Sequence, residues 1–132
     1  MREMEGVSSF FGFWGAILFI VANAYYPARL IAKKFFRPWP KDLILFFKRY
    51  LKAHMTLNLI AFLAILIHGH YAEERNIYLT GCFIATAFLT IEGLLMHYRV
   101  IPGMQRQLRM LHTQQALFLV WVILIVIGHS IL

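Results

Sequence analysis

The sequence predicts an all-α integral membrane protein, a four-transmembrane-helix up-and-down bundle, and three observations carry that expectation. The chain of 132 residues is 61% hydrophobic and only 14% charged, whereas about a quarter of residues are charged in a soluble domain. Four segments, 6–28, 53–72, 76–98 and 110–132, run free of Asp, Glu, Lys and Arg, apart from Glu92, for roughly the length that crosses a bilayer. They follow one another closely, so successive helices return antiparallel. The expected spans are about 8–28, 51–72, 76–98 and 109–131, one domain over 1–132, with a basic interfacial segment over 29–50.

The first span resembles a secretory signal in ending on Ala22-Asn23-Ala24, but the flank before it sets Arg2 against Glu3 and Glu5. The positive n-region of a signal is missing, and the segment reads as a retained helix. After it come Arg29, Lys33, Lys34, Arg37, Lys41, Lys48, Arg49 and Lys52 against the single acid Asp42. Pro38-Trp39-Pro40 forces an extended turn there, after which Asp42 caps a short interfacial helix through Tyr50. A turn of a few residues joins spans two and three. Pro102-Gly103 breaks the chain after span three, and Met104 to Arg109 forms another interfacial turn before span four.

Eleven of the thirteen Lys and Arg residues fall on one side of these spans, and only Arg2 and Arg75 on the other. The positive-inside bias puts the basic segment in the cytoplasm and the termini, with the Glu73-Glu74-Arg75 turn, in the periplasm or exterior of a bacterial or archaeal cytoplasmic membrane. The formal charge of +7 belongs with the lipid surface and gives no reason to invoke nucleic acid. The lone Cys82 excludes an intrachain disulfide or CxxC site and reads as a small buried apolar residue. No phosphate loop, nucleophile constellation or repeat is present.

The chemistry lies in six histidines. His54 and His68 are fourteen residues apart, about 21 Å of helix rise, with one near each face of a bilayer core about 30 Å thick. Fourteen is two heptads, so both imidazoles and the intervening Ala61 share one stripe. Two histidines stacked in this way suggest axial ligands for two haems, their partners supplied by another helix. By depth, His54 goes with His112 at the inner end and His68 with His129 at the outer end. His112 to His129 spans seventeen residues, which leaves His129 about 50° off its stripe. His70 and His97 are reserve ligands. A proton or metal-ion pathway is the competing use of these imidazoles. Such a path calls for carboxylates, and the spans hold only Glu92. Glu92 reads as a proton acceptor beside a quinol, a polar partner for the inner haem, or a hydrogen-bonded structural acid.

Arg49, His54 and His68, followed by Arg109, His112 and His129, resemble the paired-histidine helices of di-haem membrane cytochromes b. The similarity is to the ferric-reductase-like transmembrane family and the membrane-bound nitrate reductase gamma subunit, and it covers roughly residues 49–132. The resemblance implies two haem b groups, electrons crossing between them, and a quinol or cytoplasmic flavin domain as donor. This chain carries no FAD or NAD(P)H domain, and its second histidine spacing is longer than the ferric-reductase pattern. The expected function is therefore a small electron-transfer subunit of an oxidoreductase complex, working between a quinol or cytoplasmic donor and a redox protein partner. The alternative is a haem-free bundle that assembles or stabilises a larger membrane complex, or conducts a metal ion or proton.

Overall fold

The computed structural model describes residues 2–72 and 75–131, and within them every regular element is helical. Met4–Phe35, Lys41–Tyr71 and Ile77–His97 are long and apolar enough to cross a membrane, and the bent pair Pro102–His112 and Ala116–Ser130 makes a fourth if it is one span. Large side chains cover the outside: Ile20, Phe13 and Ile77 are 69%, 62% and 80% exposed. Water would not tolerate such a surface over most of a chain, whereas lipid does, so this is an integral membrane protein. The chain divides into two compact units, 1–71 and 72–132.

In the first unit, α1 (Arg2–Asn23) is followed after one residue by α2 (Tyr25–Phe35). Pro27 sets the break. It has no N–H to give to the carbonyl of Asn23 four residues back, and its ring crowds that carbonyl, so α1 ends there. The helix then resumes and carries Arg29, Lys33 and Lys34 on a regular backbone, where the sequence had placed an interfacial loop. Pro38-Trp39-Pro40 makes the expected turn outside any helix. The return is a single helix, α3 (Lys41–Tyr71), of 31 residues. The short helix expected through Tyr50 is thus the first part of the same helix that carries the second span. Asp42 lies inside its first turn, where a carboxylate still favours the helix N-terminus.

Helices α1 and α3 run antiparallel and lie very close. The buried face of α1 carries Ser8, Gly15, Phe19 and Ala22, and that of α3 carries Ala61 and Ala64. A Cβ on Gly15 would sit 3.2 Å from Ile65 and 3.4 Å from Ala64. In lipid, helices gain from van der Waals fit rather than from water exclusion, so small residues at the seam set how near the backbones come.

In the second unit, α4 (Ile77–His97) starts at Asn76, whose side chain accepts from the N–H of Leu79 as an N-cap. It ends with Tyr98, after which Arg99 takes a left-handed conformation (φ 50°). The N–H groups of Arg99 and Val100 donate to Met96 and Leu95, closing the helix in the paired pattern of a Schellman cap. A 3₁₀ turn (Pro102–Met104) leads into α5 (Gln105–His112) and then α6 (Gln115–Ser130). The stretch expected as an interfacial turn is a helix, and the fourth segment is not one straight span: its halves are bent by 52°. The break falls in a run of polar residues, where the Thr113 hydroxyl turns back to donate to the carbonyl of Arg109.

Helix α6 packs on α4 through Gly128, where a Cβ would lie 2.5 Å from Leu79 Cδ2 and 3.2 Å from its backbone N. Asn76 donates to the Gly128 carbonyl at 2.8 Å. Farther along, the Trp121 indole donates to Thr86 Oγ1 at 2.8 Å, and that hydroxyl donates to the carbonyl of Cys82. Cys82 is buried, as its sequence context suggested.

The Arg99 conformation supplies a stability test. A side chain in the left-handed region costs about 1 kcal/mol relative to glycine. Arg99→Gly should raise the unfolding free energy in detergent by that amount, while Arg106→Gly, inside α5, should lower it by about 1 kcal/mol. Thermal melts of the two variants give the comparison.

Candidate functional site

His54 and His68 lie on one unbroken helix, so the rise of about 21 Å expected between them stands. Both turn toward α1. His54 Nδ1 lies 2.8 Å from the carbonyl oxygen of Ala22, and His68 Nδ1 lies 2.9 Å from that of Ser8. A carbonyl only accepts, so in each ring Nδ1 carries the proton and Nε2 the lone pair. A neutral imidazole with its Nδ1–H tied to a carbonyl is the arrangement that orients a metal-ligating histidine and raises its basicity.

Local sequence explains why α1 has these carbonyls to offer. Ala22 is in the last turn of α1, where the break before Pro27 leaves carbonyls without the usual donors ahead in the same helix. The side chains of α3 supply donors: His54 to Ala22, and the Tyr50 hydroxyl to Val21. At the other end Ser8 Oγ, 3.1 Å from His68 Nδ1, donates to the His68 carbonyl at 3.3 Å. The ring fits because position 12 is glycine: a Cβ there would come within 2.7 Å of His68 Nδ1.

The two rings differ in what else they meet. The Asn58 amide nitrogen lies 3.2 Å from His54 Nδ1 and 3.3 Å from its Nε2. Since Nδ1 is already a donor, Nε2 is the acceptor of that amide. Asn58 Oδ1 accepts in turn from Asn23 at 3.2 Å, and Asn23 also donates to the carbonyl of Phe19 at 2.8 Å. At His68 it is the Nδ1 side that carries the extra polar group, the Ser8 hydroxyl at 3.1 Å. Both rings carry the tautomer of a haem ligand; at His54 the Asn58 amide must turn aside for Nε2 to bind iron.

In the second unit, His112 closes α5 beside α4, where a Cβ on Gly93 would meet its Cε1 at 3.4 Å. Next to Gly93, Glu92 is only 3% exposed, and its Oε2 has no hydrogen-bond partner among the described residues. Such an oxygen is a place for a proton or a hydrogen-bond donor. His129 is exposed and turns its Nδ1–H back to the carbonyl of Ile125 at 2.9 Å. That repeats the tautomer of His54 and His68. Because α5 and α6 are separate helices, the common stripe used to compare His112 with His129 does not exist, and the 50° offset lapses with it. His70 and His97, the reserve ligands, are exposed and pack edge-on against the neighbouring Tyr71 and Tyr98. Among the described residues no three of His, Cys, Asp and Glu gather as they would around a bare metal ion. Glu73 and Glu74 of the outer turn lie outside the described residues.

The residues that reading the sequence missed are Ser8, Gly12, Ala22 and Asn23 on α1, with Asn58 on α3. The signal was present. Ser8, Gly12, Gly15, Phe19 and Ala22 recur at alternating spacings of four and three, the seam of a packed helix. No protein-family model, curated protein or solved structure matches this chain.

Gly12 should therefore resist substitution by reason of the ring behind it. Gly12→Ala is expected to cost about 1–3 kcal/mol and to break the His68 bond to Ser8, seen as a changed His68 tautomer ratio by ¹⁵N NMR. Gly69→Ala, where a Cβ meets nothing within 4 Å, should be neutral or stabilising by up to about 1 kcal/mol.

Proposed function

We propose that the chain is a di-haem b-type membrane cytochrome subunit, a four-span up-and-down bundle that carries electrons between a quinol or cytoplasmic donor and a redox partner in a larger complex. In this reading His54 and His112 hold the inner haem, and His68 and His129 the outer. The basic α2–α3 end faces the cytoplasm of a bacterial or archaeal cell. The observation that carries the proposal is the pair of Nδ1–H bonds from His54 and His68 to α1 carbonyls, which fix two imidazoles in the ligating tautomer on one face of one helix. With no CxxCH in the sequence, the haem is held by its axial ligands alone. Haem, when bound, supplies one-electron transfer at iron. The protein's part is to orient rings, exclude water and hold protons. The α1 carbonyls stop the imidazoles rotating, and the apolar seam of Ala61, Ala64 and Gly15 keeps the space between them dry. Glu92 is the acceptor for a quinol proton.

A pyridine haemochrome assay on freshly extracted protein is expected to find about two b haems per chain. Finding none would leave the haem-free assembly subunit as the better account. His54→Ala and His112→Ala should each remove the inner haem and keep about half the content. His68→Ala and His129→Ala should remove the outer one. His97→Ala and His70→Ala should keep both, and loss of both haems from a folded His97→Ala protein would refute the assignment.

Glu92→Gln keeps the shape and removes the proton site. It should leave haem content intact and slow quinol oxidation by at least about tenfold. Unchanged turnover across the pH range would make Glu92 a structural acid.

A further inference from the structure

The α2–α3 hairpin continues the first two spans beyond the length a bilayer needs, and its cations are not spread evenly around it. On α2 the residue facing α3 is Ala32, and on α3 the residue facing back is Phe47; both are buried. At about 100° per residue, Arg29 and Lys33 stand roughly 60° and 100° past Ala32. By the same reckoning Lys48, Lys41 and Lys52 stand roughly 100°, 120° and 140° past Phe47. Both helices are right-handed, and in an antiparallel pair the same rotation past the contact line brings side chains out on the same side. All five cations are exposed and share one face. The acid of this segment, Asp42, lies around the back of α3 with Arg49.

Depth follows from the pairing of the two chains. Carried outward from the meeting of His54 with Ala22, the antiparallel pairing puts Arg29 within about 2 Å of the level of Lys48, and Lys33 within about 3 Å of that of Lys41. Lys52 stands at the edge of the apolar span, and the Arg29–Lys48 rung lies about 6 Å farther out. Each headgroup layer is about 5–7 Å deep, which puts this rung at the height of lipid phosphates. The opposite face at the same levels carries Ile31, Phe35 and Phe46, 59%, 71% and 56% exposed. Aromatic and aliphatic side chains in such numbers belong in an interface and not in open water.

We propose that the cationic face of the α2–α3 hairpin, centred on Arg29 and Lys48, binds the headgroup of an anionic phospholipid. A guanidinium and an ammonium level with each other on adjacent helices engage one phosphate from two sides, with Lys52 below and Lys33 and Lys41 above adding to the field.

The test uses the full chain in nanodiscs of equimolar phosphatidylglycerol and phosphatidylcholine, with retained lipids identified by native mass spectrometry. Wild type should retain phosphatidylglycerol preferentially and lose the preference at high salt. R29Q/K48Q should lower the enrichment by at least about fivefold. K34Q/R49Q, with the same charge removed from the same two helices but off this face, should leave it within about twofold. R29K/K48R should restore it, and helical circular dichroism checks each fold. Equal loss in the two neutralised doubles would reduce the effect to net charge and overturn the site, as would a wild type without preference. Salt-sensitive binding of a soluble oligoglutamate to Arg29 and Lys48, with no phosphatidylglycerol preference, would overturn it in favour of an acidic protein partner. If R29Q/K48Q does not fold, the salt response of wild type and the R29K/K48R variant still decide.

Discussion

The close approach of α1 to α3 is the constraint on which the first unit depends. It brings helix backbones near enough for side chains of one to reach carbonyls of the other, and small residues alone permit that distance. In lipid an imidazole N–H has no water to fall back on, so a bond to a carbonyl both satisfies the donor and fixes the ring. Packing and chemistry are here the same contact. The small residue at position 12 and the backbone carbonyl at position 8 thus act on His68 through its ring position and its Nδ1–H.

Much of this was legible in the sequence. Charge-free runs located the apolar helices, and the fourteen-residue interval put His54 and His68 on one stripe of a helix that proved continuous. What failed was the reading of interruptions. Pro27 lies inside a charge-free apolar run and so does not interrupt it by composition, although a proline three residues into a new helix is what ends α1 at Asn23. The prolines at 38 and 40 mark a turn in the sequence as in the structure, yet α3 begins directly after them because Lys41 to Tyr50 is as competent to be helical as the span it joins. The break near His112 has no proline or glycine to announce it. It falls in a polar run where the Thr113 hydroxyl bonds back to the carbonyl of Arg109, a signal that hydrophobic periodicity does not register.

The site was legible in its ligands and illegible in their supports. Histidines stand out in a membrane span because ionisable groups there are rare. A serine, a glycine, an alanine carbonyl and an asparagine do not stand out, and their role depends on which helix lies opposite. The stripe of Ser8, Gly12, Gly15, Phe19 and Ala22 predicts that α1 has a close neighbour but not which helix it is. Once α3 is known to be that neighbour, the antiparallel pairing puts Ser8 at His68 and Ala22 at His54 with no further choice.

The two ends of the α1–α3 pair are built on one plan with different polar groups, and the difference follows from where α1 stops. At the His68 end α1 runs on regularly, so the ring is held by a mid-helix carbonyl, and Ser8 adds its hydroxyl to the same spot. At the His54 end α1 is breaking, and Tyr50 and His54 supply donors to the carbonyls of Val21 and Ala22 in its last turn, while the Asn23 side chain turns back to Phe19. Asn58 joins because Asn23 presents a donor to it, and through Asn58 the break reaches His54 Nε2. Both ring nitrogens of the inner imidazole thus lie near groups gathered at the break before Pro27, whereas at the outer ring Ser8 contributes its hydroxyl and its carbonyl. A helix break that looks like a local imperfection therefore makes two histidines on one stripe chemically unequal.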